Sequence, residues 1–362
     1  RSFRVRMREI IDLVEISKYA GERFDLVQAG GGNSSVKLEN DEMLIKASGF
    51  LLSDLEEYSG YSKVRTSKIA SIVKNETITK EIDKRKRESL TASLVQQATL
   101  DEKNRPSIET LLHSFLYKYT LHTHPIVVNM LVIQNEYKEI LTSIFKDEDI
   151  ALVPYKTPGV ELALELKKTL QSFEVIPNII FLQNHGLIVT SSDKQDIKRL
   201  TEQVLEKIEN YLQVDMSRYK LTNKISHLFS TAQKSSNIAC LSEDSYLNEQ
   251  LTQNQELFLL TPFCPDSLVF CGVSAVVIED LLDITPLKNY KEKYFELPKV
   301  VIFESKLFFI ALNVKKAKEI EEVMKFHIMV LAQSSKSNKN FLEEEELAYL
   351  SNWEAEKYRQ KV

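Results

Sequence analysis

The chain has little of what the commonest nucleotide and redox sites require. Its nine glycines include neither a GxGxxG nor a GxxxxGK spacing, so the fingerprints of a dinucleotide fold and of a phosphate-binding P-loop are absent. Its three cysteines form no CxxC pair, which argues against a disulfide scaffold and against a cysteine-based zinc knuckle. This cysteine usage is typical of a reducing compartment, and we predict a cytoplasmic location.

Long apolar runs are also missing. No stretch approaches the roughly 18 residues that a membrane span needs, and no apolar segment follows the charged N-terminal sequence RSFRVRMREI. We therefore predict neither a membrane helix nor a signal peptide. The net charge of −5 gives no electrostatic reason to expect nucleic acid or an anionic membrane as a partner. A hydrophobic content of 43% over 362 residues indicates a soluble globular protein of one large or two ordinary domains.

Hydrophobic patterning divides the chain into three regions. Residues 1–216 combine an amphipathic helix (4–21), short alternating strands and apolar strands such as NIIFLQNHGLIVTS, which predict an α/β domain. Within it, residues 62–103 are charged and helical in character, and Pro106-Ser107 predicts a helix that continues to about Tyr117. Residues 217–254 are polar and are predicted to be a connector region. Residues 255–362 contain strand-like segments, among them ELFLLTPF and SLVFCGVSAVVIE, and then helices over 315–333 and 342–360, which predict a smaller C-terminal α/β unit.

Two histidines in the segment YTLHTHP form the main candidate site. The segment is predicted to be a strand, and alternate residues of a strand face the same side, so His122 and His124 project together. Two such imidazoles suit one metal ion bound at about 2.0–2.1 Å. His185 ends a second apolar strand, where Gly186 permits a close backbone approach, and three histidines with an open position are typical of a catalytic zinc-type site. The alternative, favoured for an isolated pair, is core histidines satisfied by hydrogen bonds.

An acidic residue lies upstream of this pair, in RPSIETLLH. Glu109 either compensates the dipole of a helix start or serves as a base that reaches a metal-bound substrate. His113 is one helical turn further along, and it either orients Glu109 or packs in the core, with packing as the default interpretation.

Three further segments favour an anion. The cluster AGGGNSSVK, with Gly32, Asn33 and Ser35, exposes backbone N–H groups that can form an anion nest. The segment KASGF adds Ser48 and Gly49, and Ser107 lies at a predicted helix start, where a phosphate is also favoured. Together with a metal site, these segments predict a phosphorylated or carboxylated small molecule as ligand.

The chain resembles the class II aldolase/adducin family over roughly residues 10–215, where six segments occur in the order found in that family. They are GGGNSSVK, LIKASGFLLSDL, RPSIETLLH, LHTHP, VPYKTPGVELA and FLQNHGLIV. The later segments LTPFCPDSLVFCG and LAYLSNWEAEKYRQKV resemble the extension of the longer rhamnose-utilisation-type members. Some of those members continue into a short-chain dehydrogenase, whose GxGxxG fingerprint this chain lacks, so dehydrogenase activity is not implied.

The resemblance implies a three-layer α/β/α class II aldolase fold with a central, mostly antiparallel sheet. It also implies a divalent metal, most often zinc, on His122, His124 and His185, although manganese, cobalt or iron would suit the same ligands. Glu109 matches the catalytic acid/base of the family. Positions that hold the substrate phosphate in the sugar-phosphate aldolases match Asn33, Ser35, Ser48, Gly49 and Ser107. A homo-oligomer is a further implication.

The expected activity is that of a class II, metal-dependent aldehyde-lyase. The metal polarises the carbonyl of a ketose phosphate or a related hydroxy-carbonyl compound, and the adjacent C–C bond breaks or forms through a metal-stabilised enediolate while Glu109 moves the proton. Sugar-phosphate 4-epimerisation and decarboxylation are alternatives on the same site. A non-catalytic, adducin-like interaction module is the alternative of a different class, which loss of the metal ligands would mark.

Overall fold

The structure is a computed structural model that describes residues 2–333 and 338–351. The chain divides into two compact units, residues 1–216 and residues 217 onward. None of the helices within the described ranges is both long and apolar enough to cross a membrane.

A mixed sheet forms the centre of the first unit. Its strands lie in the order β3-β2-β1-β4-β7-β6-β5, and every neighbouring pair is antiparallel except β5 and β6. The strands are β1 (Asn33–Lys37), β2 (Glu42–Lys46), β3 (Tyr61–Arg65), β4 (Tyr119–Thr123), β5 (Ile150–Val153), β6 (Ile179–Leu182) and β7 (Gly186–Ser191).

Helices cover both faces of this sheet. One layer contains α1 (Ser2–Gly21), α6 (Ile126–Val132), α7 (Tyr137–Ile144) and α9 (Lys194–Leu212). The other contains α2 (Thr66–Ile72), α3 (Glu76–Thr79), α4 (Lys84–Ala98), α5 (Thr110–Ser114) and α8 (Val160–Leu170). The predicted three-layer α/β/α fold with a mostly antiparallel sheet is therefore confirmed.

The period-2 pattern of the strands explains the two cores. On β2, Met43 and Ile45 pack in one core, whereas Leu44 between them packs in the other. Both faces of the strand are apolar because both are covered by helices. The partner residues Asn33 and His122 lie opposite each other on β1 and β4, and His122 is also paired with Ile188, which belongs to the core beneath α5 and α8. The face that carries His122 is thus the face on which α5 lies.

The second unit has its own sheet, with the strand order β8-β11-β10-β9. Its strands are β8 (Ile238–Leu241), β9 (Val276–Ile278), β10 (Val300–Phe303) and β11 (Lys306–Ala311). Its helices are α10 (Ser217–Ala232), α11 (Ser245–Gln253), α12 (Pro265–Cys271), α13 (Thr285–Tyr294), α14 (Val314–Gln333) and α15 (Glu344–Leu350). A smaller C-terminal α/β unit is therefore present.

Residues 217–254 are not a connector. They contain α10, β8 and α11, and β8 pairs with β11 as an edge strand of the second sheet. Leu247 and Leu251 of α11 are buried in the core of this unit. The polar stretch at 232–238 is only the loop between α10 and β8, so a local loss of hydrophobic pattern was mistaken for a domain linker.

Other predicted elements also differ. SLVFCG forms helix α12, which Pro265 begins at its first turn, because a short apolar run cannot by itself distinguish a strand from a buried helix. ELFLL forms a short 3₁₀ turn. Residues 61–65 form β3 inside the region predicted to be helical, and the helix predicted from Ser107 begins only at Thr110. The predicted helix 342–360 begins at Glu344, and its part from residue 352 onward lies outside the described residues.

Candidate metal centre and active site

The three predicted ligand histidines come together at one end of the central sheet. His122 lies on β4, His124 follows that strand, and His185 lies in the turn between β6 and β7. The Nε2 atom of His122 is 3.1 Å from that of His124 and 3.2 Å from that of His185. Their ligand atoms all lie within 4.8 Å of one another, so the three histidines could together hold one metal ion.

A tight backbone approach makes this convergence possible. Asn184 adopts a left-handed conformation with φ 53° in the turn before His185, a conformation that asparagine tolerates better than most residues. A Cβ atom on Gly186 would lie 2.3 Å from the carbonyl oxygen of Thr123. Only glycine therefore lets the start of β7 lie this close to the strand end that carries His122 and His124.

All three imidazoles are held in the neutral form. Burial lowers the pKa of His122, of His124 and of His185 from 6.5 to about 4 in each case. The Nδ1–H group of His122 donates to the carbonyl oxygen of Leu187 at 3.0 Å, which leaves a lone pair on Nε2. A neutral imidazole with a free Nε2 lone pair is the form that binds a metal ion.

The donor geometry fits a divalent metal. Ligands about 2.0–2.1 Å from a tetrahedral ion are separated from one another by about 3.3 Å. The Nε2 separations of 3.1 and 3.2 Å from His122 are close to this value, and the three ligand atoms all lie within 4.8 Å of one another. The Nε2 lone pair of His122 faces the other two Nε2 atoms, so a cation bound between the three nitrogens would have all of them within reach.

Glu109 lies against the same point. It precedes α5, and its Oε2 and Oε1 atoms are each 3.3 Å from a histidine nitrogen, Nε2 of His122 and Nε2 of His185 respectively. Oε2 accepts a hydrogen bond of 2.6 Å from the side-chain amide of Asn33. Oε1 is buried and has no hydrogen-bond partner within the described part of the chain. One carboxylate oxygen is therefore positioned by the protein, and the other is left for a metal or a substrate proton.

The predicted anion-binding residues separate into two groups. Asn33 and Ser35, two residues apart on β1, face the core, where both are buried. The Ser35 hydroxyl lies 2.6 Å from Nδ1 of His113, and Asn33 contacts Glu109. Gly32 is also buried, with a left-handed φ of 75°. These residues support the interior of the site, and the Ser35 hydroxyl faces His113 from within the core.

Ser48, Gly49 and Ser107 form the second group. An isolated β-bridge between Ala47 and Pro106 brings their two segments side by side. The N–H of Ser48 donates to the carbonyl oxygen of Arg105 at 2.8 Å, and the hydroxyl of Ser107 accepts from the N–H of Glu109 at 3.3 Å. Ser48 and Gly49 are exposed, so this group lies at the solvent-accessible edge of the site, next to Glu109.

Lys46 is a functional candidate that the sequence interpretation missed. It ends β2 next to these residues, its side chain is 4% exposed, and its carbonyl oxygen accepts from the N–H of Ser107. Burial lowers the pKa of Lys46, while the charges of Asp54 and Glu109 raise it. Its sequence indication was a charged residue within the otherwise apolar strand segment EMLIKAS.

Tyr155 lies in a loop that is tied to the turn of His185. It follows β5, its side chain is exposed, and its backbone N–H donates to the side-chain oxygen of Gln183 at 3.0 Å. Gln183 is two residues before His185, so this bond ties the loop of Tyr155 to the turn that carries the third histidine. The spacing alone did not indicate it, because the parallel pairing of β5 and β6 was not predicted.

The first unit is similar to known proteins. The family model described as Class II Aldolase and Adducin N-terminal domain matches residues 11–212. Among curated proteins, the uncharacterized oxidoreductase YuxG of Bacillus subtilis (strain 168) is 24% identical over 220 residues, which cover 58% of this chain. The match covers 30% of YuxG, so the chain spans less than a third of the length of that relative.

Solved structures show likeness over a similar part of the chain. The N-terminal class II aldolase domain of a conserved protein from Thermoplasma acidophilum matches with a TM-score of 0.48 and 24% identity, over 56% of this chain and 93% of that one. The sugar-phosphate aldolase from Thermotoga maritima matches with a TM-score of 0.42 and 17% identity, over 57% of this chain and 95% of that one.

Proposed function

The chain belongs to the class II aldolase and adducin N-terminal domain family, and we propose that it is a divalent-metal-dependent aldolase. Its reaction would break or form a C–C bond of a sugar phosphate or a related hydroxy-carbonyl compound. The observation that carries this proposal is the convergence of three neutral imidazoles beside a carboxylate with one unpaired oxygen. An interaction module has no need for such a costly arrangement of buried polar groups.

His122, His124 and His185 would hold the metal, with Glu109 next to it. A divalent cation there would supply Lewis-acid polarisation of the substrate carbonyl and neutralise the negative charge that develops on its oxygen. The protein keeps the ligands neutral by burial and fixes the orientation of His122 through its bond to the Leu187 carbonyl.

Glu109 would move the proton. In the cleavage direction, the hydroxyl gives its proton to water and its carbon becomes the carbonyl carbon of an aldehyde. The C–C bond between that carbon and the carbon next to the ketone breaks, and its electron pair remains on the ketone fragment as an enediolate. Glu109, when protonated, then delivers a proton to the enediolate carbon through Oε1, the oxygen that lacks a partner among the described residues. Asn33 donates to Oε2 at 2.6 Å, and this hydrogen bond restrains the carboxyl group from a rotation that would exchange Oε1 and Oε2.

The anionic end of the substrate would bind where Lys46, Ser48, Gly49 and Ser107 lie. The two serines supply hydroxyl donors, Gly49 at φ 86° permits a tight turn, and Lys46 supplies a buried positive charge. The ammonium group of Lys46 makes a long contact of 3.4 Å with the Ala47 carbonyl. A phosphate or carboxylate would offset the desolvation of that group through a stronger, charge-assisted hydrogen bond.

Metal content and lyase activity test the proposal together. Protein purified without chelator is analysed by elemental mass spectrometry and incubated with ketose phosphates, with free aldehyde as the readout. We expect about one metal equivalent per chain and aldehyde release, both lost in His185→Ala. The matched control is His227→Ala, because His227 is exposed in the second unit. This substitution should change neither metal content nor aldehyde release.

Other outcomes are equally informative. An epimerised product without free aldehyde would replace cleavage by epimerisation, because the fragments would recombine before release. Carbon dioxide release from a hydroxy acid would indicate decarboxylation. A wild type that binds no metal after incubation with zinc or manganese would overturn the proposal in favour of a non-catalytic module.

A further inference from the structure

His113 is a fully buried histidine that the proposed reaction does not use. It lies on α5, one turn after Glu109, with 0% exposure. Its Nδ1 atom lies 2.6 Å from the Ser35 hydroxyl, and its Nε2 atom contacts Oδ1 of Asn33. Both ring nitrogens are therefore engaged by residues of one face of β1, which simple packing does not require.

The contact with Glu109 sets the direction of these hydrogen bonds. Oε2 of Glu109 accepts from the Asn33 amide nitrogen at 2.6 Å, so Asn33 turns its NH₂ group towards Glu109 and its oxygen towards His113. The Asn33 oxygen in turn needs a donor, so Nε2 of His113 must carry the proton. Burial lowers the pKa of His113 to about 3, so the ring is neutral at pH 7. With the proton on Nε2, the Nδ1 atom accepts a hydrogen bond from the Ser35 hydroxyl.

The result is a chain of donors that runs one way. Ser35 donates to His113, His113 donates to Asn33, and Asn33 donates to Oε2 of Glu109. If Asn33 were reversed, its oxygen would lie 2.6 Å from a carboxylate oxygen, two acceptors facing each other without a proton. The N–H of His113 also disfavours that orientation, because a reversed amide would turn its NH₂ group towards this second donor.

We propose that His113 is a positioning residue that acts through Asn33: it orients the Asn33 amide so that Oε2 of Glu109 is held and Oε1 alone is presented to the substrate. The side chains of Asn33 and Ser35 then serve Glu109, and the Asn33 amide nitrogen also lies 3.5 Å from the Ser107 hydroxyl. This inference rests on the proposed aldolase function for its catalytic consequence, but the orientation of the hydrogen bonds is a property of the protein alone.

Two variants of His113 separate positioning from packing. The amide nitrogen of glutamine can replace Nε2 of histidine, so His113→Gln keeps a donor for Asn33. Asparagine is shorter and reaches only the position of Nδ1, so His113→Asn keeps the Ser35 contact and loses the donor. We expect His113→Asn to lower kcat by about 10–100-fold, with KM and metal content unchanged, and His113→Gln to restore most of kcat. Equal losses in both variants, or none in either, would mean that His113 only fills space.

The tautomer of His113 provides a readout that needs no substrate. Long-range ¹H–¹⁵N correlation spectra of wild-type protein labelled with ¹⁵N-histidine should show His113 protonated at Nε2 and unprotonated at Nδ1 at neutral pH. A proton on Nδ1, or on both nitrogens, would reverse or break the donor chain and overturn the inference. The signal is assigned by its absence from His113→Gln.

The two experiments fail differently. A wild type without lyase activity but with the Nε2–H tautomer would overturn the proposed function and leave the orientation of Asn33 and Glu109 supported. Lyase activity with the Nδ1–H tautomer would keep the aldolase and remove the role of His113.

Discussion

Gly186→Ala is a direct test of how the candidate metal centre is built. The added Cβ atom would lie 2.3 Å from the carbonyl oxygen of Thr123 and 3.0 Å from Cδ2 of His124. To reach the 3.0 Å that real Cβ contacts keep, the backbone at Thr123 or at residue 186 must shift by about 0.7 Å. Thr123 lies between two of the proposed ligands, and residue 186 follows the third, so the shift is applied directly to the ligand set.

The magnitude follows from the tolerance of metal ligands. Ligand distances are kept within about 0.2 Å, so a shift of about 0.7 Å cannot be absorbed without tilting an imidazole. We expect zinc affinity to fall by at least about 10–100-fold, or roughly 1.4–2.8 kcal/mol. The strand contact should cost a further 1–3 kcal/mol, roughly, in the free energy of unfolding.

Zinc titration calorimetry and thermal unfolding of the metal-free protein measure the two effects. The control is Gly30→Ala, since the nearest atom to a Cβ there is 3.9 Å away, and its unfolding free energy should change by less than about 0.5 kcal/mol. If folded Gly186→Ala binds zinc as tightly as the wild type, the three histidines do not act as one ligand set and the reasoning fails.

Three further predictions concern the same unit. Glu109→Gln keeps the shape of the side chain but not the proton transfer, so kcat should fall by about 10²–10⁴-fold while metal content persists; unchanged turnover would remove Glu109 from the mechanism. The metal-free protein should lose stability as pH falls from 6.5 towards 4, because unfolded histidines bind protons there and the native ones do not. His113 alone, with its pKa lowered to about 3, contributes up to about 1.4 kcal/mol per pH unit, and urea midpoints at pH 7.5 and 5 measure this; a flat profile would contradict the buried neutral form. Arg23→Leu leaves buried Asp25 without its paired guanidinium contacts at 2.9 and 2.6 Å, so it should cost about 3–5 kcal/mol in urea unfolding. Lys80→Ala, which removes only an exposed pair, should cost less than about 1 kcal/mol, and equal costs would refute the role of burial.

Local patterns predicted the elements of the first unit well. The period of apolar residues marked helix α1 and strands β1 and β2, because each side chain there meets a core directly and the spacing repeats at 3.6 or 2 residues. Short apolar runs were less informative. In the second unit, SLVFCG lies in helix α12 and was predicted to be a strand. The region 217–254 contributes strand β8 to the sheet, which its local sequence did not indicate because the pairing of β8 with β11 depends on residues far away in the chain.

The candidate site shows the same division. Strand periodicity predicted that His122 and His124 project together, because it is a property of the local backbone. Their Nε2 atoms do lie 3.1 Å apart, although His124 lies just beyond the end of β4. The apolar run EMLIKAS marked Lys46 as a charged residue in a buried strand, but nothing local indicated that it would lie beside Ser107. Nor did local sequence indicate that Ser35 would face His113, with Asn33 in contact with both His113 and Glu109. Those contacts arise from the bridge between Ala47 and Pro106 and from the register of β1 against β4.

The sequence by itself determined which residues are chemically able to form a metal site, and that two of them lie two residues apart at a predicted strand. Only the tertiary structure brought His185, 63 residues beyond His122, to a distance of 3.2 Å between the two Nε2 atoms. It also decided that the Glu109 carboxylate lies against these histidines. One of its oxygens accepts a hydrogen bond from Asn33, and the other has no hydrogen-bond partner among the described residues. The physical reason is that residue type and local spacing set the chemistry and direction of a side chain, whereas distances between segments depend on the order and register in which strands pair.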